Sequence, residues 1–178
     1  MDTLQILEKY STDTNLHNQQ VGQIMKYFAK KIWQEEDYRY TVGILHDIDR
    51  DYIGKIADKH LKQDLDKIID QLDTNYDKTQ IKIDIKSHWP YLSGIEPTTL
   101  LQKYLISIDE LSWLMYAYAR MRWWFANMET KWVIKRIKEK SFAAWVDREH
   151  VRNCETYLSI PLEEFIWDMI LAYQSFQK

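Results

Sequence analysis

The 178-residue chain is 46% apolar and 29% charged with a formal net charge of −3, enough to bury one core and too acidic for a dedicated nucleic-acid binder, although a local basic patch stays open. Four glycines and three prolines disfavour a turn-rich β-sandwich or barrel. The single Cys154 excludes a disulfide framework, no basic-then-apolar leader opens the chain, and no uninterrupted apolar run reaches ~18 residues, so the expectation is a cytoplasmic protein without a membrane span.

Helical periodicity runs through most of the chain. Leu4, Ile6 and Leu7 predict a short helix ending at the turn-formers of YSTDTN. Leu16, Val21, Ile24, Met25 and Phe28 share one face of a helix over 15–33. Tyr40, Ile44 and Leu45 belong to a third helix over 37–48, and Ile56, Leu61, Leu65, Ile68, Ile69 and Leu72 predict a fourth over 56–72. The turn LDTNYDK and a short helix over 78–88 follow. Pro90, Gly94 and Pro97 mark the longest irregular connection, WPYLSGIEP, with Pro97 placed for a helix start. A long apolar helix runs from Thr98 to about Met121. Three more follow at 130–140, 146–158 and 161–176, Pro161 suiting the first turn of the last. There is no convincing strand, repeat or low-complexity tract. The reading is all-α: a single domain over 1–178, with a helical bundle over about 12–125 and a helical C-terminal extension over 126–178.

Two segments admit more than one use. WLMYAYARMRWWF, 113–125, reads as core and as the seam between bundle and extension, with a homodimer interface as the alternative. KWVIKRIKEK, 131–140, carries five basic residues against one acid; a solvated helix face outweighs a phosphate-rich partner there.

The titratable residues are more informative. His17, His46, His60 and His88 each fall in a different predicted helix or at its end. Taken singly, each reads first as a surface or satisfied core histidine. Asp109 lies inside the apolar run LISIDELSWL. A mid-helix Asp competes with the backbone for hydrogen bonds, and burying it unpaired costs several kcal/mol. It therefore calls for a cation, and no basic residue lies one turn away. Imidazole nitrogen and carboxylate oxygen together suit Fe, Mn, Co, Ni or Zn, whereas Ca and Mg prefer all-oxygen sites. With one thiol in the chain, a zinc-finger site is excluded. His46 and Asp47 are consecutive and cannot share a helix face, so both reach one site only where a helix ends or where helices meet. Asp49 and Asp51, just beyond, read as a solvated turn.

His17, the His46-Asp47 pair, His60, His88 and Asp109, in that order, resemble the HD-domain metal-dependent phosphohydrolases in their H…HD…H…H…D form. IMKYFAKKI after His17, YTVGILHDID around the pair, IKSH ending at His88 and LLQKYLISIDEL around Asp109 resemble the same framework. SFAAWVDRE (141–149) and IPLEEFI (160–166) are similar to the C-terminal part of a subgroup of predicted HD-superfamily hydrolases. The resemblance covers nearly the whole chain.

It implies an HD-type helical bundle in which His17, His46, Asp47 and Asp109 hold one divalent transition-metal ion, Fe or Mn being favoured. Asp47 would bridge to a second ion held by His60 and His88. The implied activity is hydrolysis of a small, nucleotide-like phosphoester by a metal-bound hydroxide, with His46 and Asp47 central to catalysis. Arg50 and Lys62 are candidates, by proximity, for the substrate phosphate, and Tyr91 for the pocket mouth. Trp89, Trp145 and Leu61 stand where the family carries smaller residues, which would reshape the pocket. The same six ligands also resemble those of mixed-valent di-iron oxygenases, and a non-catalytic metal-binding module is a third reading.

Overall fold

A computed structural model describes residues 1–52, 59–121 and 125–176. Nine α-helices of four residues or more are found among them, and no strand: α1 (Thr3–Tyr10), α2 (Asn15–Lys31), α3 (Glu36–Leu45), α4 (Gln63–Asp70), α5 (Lys78–Lys86), α6 (Pro90–Ser93), α7 (Leu100–Met121), α8 (Thr130–Lys138) and α9 (Leu162–Ser175). The all-α expectation is thus met. No described helix is long and apolar enough to cross a membrane.

Helix starts follow local chemistry. Asp2 and Gln5 form a reciprocal capping box on α1. Thr99 and Gln102 do the same for α7: Gln102 N–H donates to Thr99 Oγ1, and Thr99 N–H donates to Gln102 Oε1. The cap therefore sits two residues beyond Pro97, which lies in the preceding connection. The expected irregular stretch after His88 contains a single turn, α6, with Pro90 in its first position and Gly94 closing it at φ +71°.

Helices α2 and α3 cross at backbone contact. A Cβ built on Gly43 would lie 2.8 Å from Gly22 Cα, and one on Gly22 would lie 2.5 Å from the Ile44 side chain. Only paired glycines let the two axes approach this closely. The crossing sets His17, at the start of α2, beside His46, at the end of α3. Helix α7 lies along α2 and is covered on another side by residues 150–158. Helix α9 packs on α2 and α8, stacking Phe165 on Phe28 at 5.1 Å between ring centroids and pairing Asp168 with Lys31 at 2.5 Å. One apolar core links bundle and extension.

Two expected helices are shorter or broken. Of the helix expected over 56–72, residues 56–58 lie outside the described set, residues 59–62 form turns, and helix begins at Gln63. Leu61 has φ +60°, which no right-handed helix accommodates. The segment 146–158 is a 3₁₀ turn (His150–Arg152) followed by a π-turn (Cys154–Leu158). In the aromatic run, Leu114, Met115, Tyr118 and Phe125 are buried, and 122–124 lie outside the described residues. In α8, Val133 is buried while Lys131, Lys135 and Lys138 face solvent.

Candidate metal centre

Five segments deliver the six candidate residues. Helix α3 ends at Leu45, and His46 to Asp49 continue in turns closed by Ile48 N–H to Leu45 O and Arg50 N–H to Asp47 O. The departure from helix is what lets two consecutive residues serve one site. His17 comes from α2, His88 from just beyond α5, and Asp109 from the middle of α7. His60 arrives on the turn before α4. All six are buried, His46 and Asp47 completely.

Their ligand atoms form two groups that share Asp47: His17, His46, Asp47 and Asp109, and Asp47, His60 and His88. Within the first, His17 Nε2 lies 3.2 Å from His46 Nε2 and 3.0 Å from Asp109 Oδ1. His46 Nε2 lies 3.3 Å from Asp109 Oδ1 and 3.8 Å from Asp47 Oδ2. Within the second, Asp47 Oδ1 stands 3.1 Å from His60 Nε2 and 3.5 Å from His88 Nε2. These last three atoms are fully buried and close, yet none is aligned for a hydrogen bond.

The outer nitrogens explain what faces inward. His46 Nδ1–H donates to Gly43 O at 2.8 Å and His88 Nδ1–H to Ile85 O at 2.6 Å. His60 Nδ1–H donates to Asp49 Oδ1 at 2.7 Å. Ser112 spends its proton on Asp109 O, so its Oγ accepts from His17 Nδ1–H at 3.3 Å. With every Nδ1 committed as a donor, each neutral ring turns the Nε2 lone pair inward. Four lone pairs and two carboxylates thus converge, and Arg50 Nη1, 2.8 Å from Asp47 Oδ2, is the one cationic side chain paired with them among the described residues. Such a constellation repels itself unless positive charge occupies it. The residues present could hold a metal ion.

The electrostatics agree. Burial works to raise the Asp47 and Asp109 carboxyls, but the surrounding imidazoles, with Arg50 at Asp47, hold both well below the usual carboxylate range. Burial also opposes charge on His60, yet Asp47 and Asp49 lift it to about 9. Around His60 the carboxylates thus outweigh the cost of burying a charge, and a bound cation would offset the same excess of negative charge. Further out, burial and the adjacent Asp109 push the Glu110 carboxyl up to about 8.

A cavity of about 440 Å³ opens onto the centre, reaching His88, Asp109 and Arg50. Trp113 lines it and stacks on His17 at 3.8 Å. Trp89 lines it between His60 and Arg50, whose ring centroid and guanidinium lie 5.8 and 5.9 Å from its own rings. The C-terminal extension supplies the opposite wall, including Trp145, Asp147 and His150. Trp145 therefore borders the opening, 73% exposed, rather than filling it. Tyr91 lines the mouth as expected.

Other expectations land differently. Lys62 is exposed at the start of α4 and does not line the cavity. Asp49 and Asp51 are not a solvated turn. Asp49 is fully buried and accepts from His60 Nδ1 and from Leu61 N–H, the latter at 2.7 Å. Asp51 Oδ2 accepts from Thr12 N–H at 2.6 Å and from Thr14 N–H and Oγ1–H at 3.0 Å, fastening this turn to the start of α2. In the C-terminal extension, Arg148 donates to backbone carbonyls of residues 139–146.

Compared with protein-family models, curated proteins and solved structures, the chain matches none. What stands is an all-helical fold around a buried His/Asp cluster able to hold metal, compatible with an HD-type motif.

Proposed function

We propose that the protein is an HD-type metal-dependent phosphohydrolase acting on a small phosphomonoester. The observation that carries this reading is the pair of ligand groups sharing Asp47 at the foot of an open cavity. His17, His46, Asp47 and Asp109 would hold one ion, and Asp47, His60 and His88 a second. Two such ions would supply an activated water at neutral pH and charge neutralisation for the phosphoryl group.

The chain's own residues do the rest. Ser112, Gly43, Asp49 and Ile85 orient the four imidazoles through their outer nitrogens before any ion binds. Arg50 spends one Nη on Asp47 and lines the cavity, where its remaining N–H donors suit a phosphate oxygen. Trp89 and Trp113 shield the imidazoles from bulk water on the cavity side. In the reaction, water adds oxygen to phosphorus, the phosphorus–oxygen bond to the alcohol breaks, and the alcohol oxygen takes the proton.

The test is elemental analysis of protein purified without chelator, beside His46→Ala and Asp47→Ala, followed by a phosphomonoester screen. About two transition-metal atoms per chain, lost in both variants together with phosphatase activity, is the expected result. A folded protein that binds no metal would overturn the reading. Bound iron with oxygen uptake and no phosphate release would replace it with the di-iron oxygenase.

A further inference from the structure

Asp47 divides its two oxygens between the halves of the centre. Oδ1 faces the second group, 3.1 Å from His60 Nε2 and 3.5 Å from His88 Nε2. Oδ2 faces the first group, 3.8 Å from His46 Nε2, and it also accepts from Arg50 Nη1 at 2.8 Å. An ion held by His17, His46, Asp47 and Asp109 would therefore share one carboxylate oxygen with a guanidinium.

Arg50 is charged throughout the accessible pH range. A hydrogen-bond partner behind a metal ligand ordinarily strengthens metal binding by holding the ligand in place. A cation in that position acts the other way. It withdraws negative charge from Oδ2 and stands beside the ion with like charge, in a buried setting that solvent screens poorly. The two partners also differ in freedom. The Asp47 side chain is fully buried, whereas that of Arg50 is 41% exposed, borders the cavity and lies with its guanidinium 5.9 Å from the Trp89 ring centroid. Asp47 cannot leave the contact, and Arg50 can. A phosphate in the cavity is the group suited to take it, because a bidentate grip uses two N–H groups of the fork and draws Nη1 from Oδ2.

We infer that Arg50 sets the affinity of the first ion group: resting on Asp47 Oδ2 it weakens the ion, and turning to a phosphate anion it frees that oxygen. Metal and phosphate then each tighten the other's binding, by the same factor in both directions. This role requires the metal centre of the reading above but not the hydrolysis.

The test is the affinity for Mn²⁺ by chelator competition, with and without saturating inorganic phosphate, in the wild type, Arg50→Gln and Arg50→Lys. The first ion group is recognised by its loss in His17→Ala. Arg50→Gln keeps a hydrogen-bond donor and loses the charge, while Arg50→Lys keeps the charge. Without phosphate, Arg50→Gln is expected to bind the first ion about tenfold more tightly than the wild type, with Arg50→Lys close to the wild type. Saturating phosphate should raise the wild type to the level of Arg50→Gln. Weaker binding in Arg50→Gln would make Arg50 an ordinary support for Asp47, and unchanged binding would leave it no hold on the ion; either result overturns the inference and leaves the metal centre standing. Equal tightening in Arg50→Lys, or an advantage of Arg50→Gln that persists in saturating phosphate, also overturns it. A folded wild-type protein that binds neither Mn²⁺ nor Fe²⁺ overturns the metal centre and this role together.

Discussion

Asp49 grips the turn before α4 with both carboxylate oxygens, Oδ1 accepting from His60 Nδ1–H and Oδ2 from Leu61 N–H, each at 2.7 Å. The pair couples the last buried acid of the His46–Asp49 segment to the histidine that precedes α4. Substituting Asp49 by Asn leaves one acceptor and turns an NH₂ towards a backbone N–H, so one of the two bonds becomes donor against donor. Loss of a carboxylate behind a ligating histidine typically costs 10–100-fold in metal affinity. Asp49→Asn is therefore expected to lower the affinity of the His60–His88–Asp47 group by about that factor, measured by chelator competition. Unchanged affinity would mean that His60 ligates nothing.

The Gly22–Gly43 crossing makes a second prediction. In an ordinary helix, Gly→Ala gains up to about 1 kcal/mol. Here the new Cβ on Gly43 would stand 2.8 Å from a backbone atom, Gly22 Cα. Backbone cannot rotate aside as a side chain can, so the helices must separate, at a cost of about 1–3 kcal/mol. The clash wins. Gly43→Ala should lower Tm by roughly 2–6 °C in thermal unfolding and weaken metal binding, because the same crossing sets the His17–His46 distance. Gly94 makes a contrast: nothing lies within 4 Å of its Cβ position, so only its φ of +71° penalises Ala, and metal binding should be unaffected.

The sequence makes much of this legible because buried ligands on helices leave a local signature. Asp109 stands out against Ile106, Ile108 and Leu111, since a carboxylate in an apolar stripe needs a reason. His46-Asp47 stands out because an apolar run ends there. Asp49 and Asp51 carry no such mark: an acid near a helix end looks solvated until the fold shows which N–H groups arrive beside it. Those donors come from Leu61, Thr12 and Thr14, brought near by tertiary packing rather than local pattern. The same event hides the start of α4, because the Leu61 N–H held by Asp49 belongs to a residue at φ +60°. The broken helix at 146–158 was equally invisible. Asp147 Oδ1 accepts from the Glu149 and His150 N–H groups and starts a 3₁₀ turn, which apolar periodicity alone cannot register.

Cys154 gives a pH-dependent prediction. It is fully buried, and burial, reinforced by Glu155, pushes its thiol up to about 12 from an ordinary 9. Folding thus favours the protonated form. The sign follows: below about pH 9 both states keep the proton and the contribution is intact, and between 9 and 12 the unfolded chain ionises first, so stability falls as pH rises. Urea midpoints should decline more steeply between pH 9 and 11 in the wild type than in Cys154→Ala, whatever the baseline cost of the substitution. At pH 8 the thiol should resist alkylation until the protein is unfolded. Rapid native labelling would contradict the buried position.

The cavity's outer wall depends on Arg148. Its guanidinium donates to the carbonyls of Phe142, Ala143 at 3.2 Å, Val146 at 2.8 Å and, more weakly, Glu139 at 3.5 Å. These carbonyls belong to the segment that presents Trp145 to the cavity, and Ala143 within it has φ +43°. Lys has a single point charge and cannot span acceptors spread over eight residues as a planar fork can. Charge-assisted hydrogen bonds of this kind contribute about 1.5–3 kcal/mol each, though not additively. Arg148→Lys is expected to destabilise the fold by about 1–2 kcal/mol and Arg148→Ala by about 2–4 kcal/mol in urea unfolding. Both should open the chain to limited proteolysis between 139 and 148 before global unfolding. Metal content should stay at the wild-type level, since among the described residues none of the six candidate ligands hydrogen-bonds or ion-pairs with this segment. A parallel loss of metal would mean that the wall and the centre fold as one unit, and that Trp145 is held by the bundle rather than by Arg148.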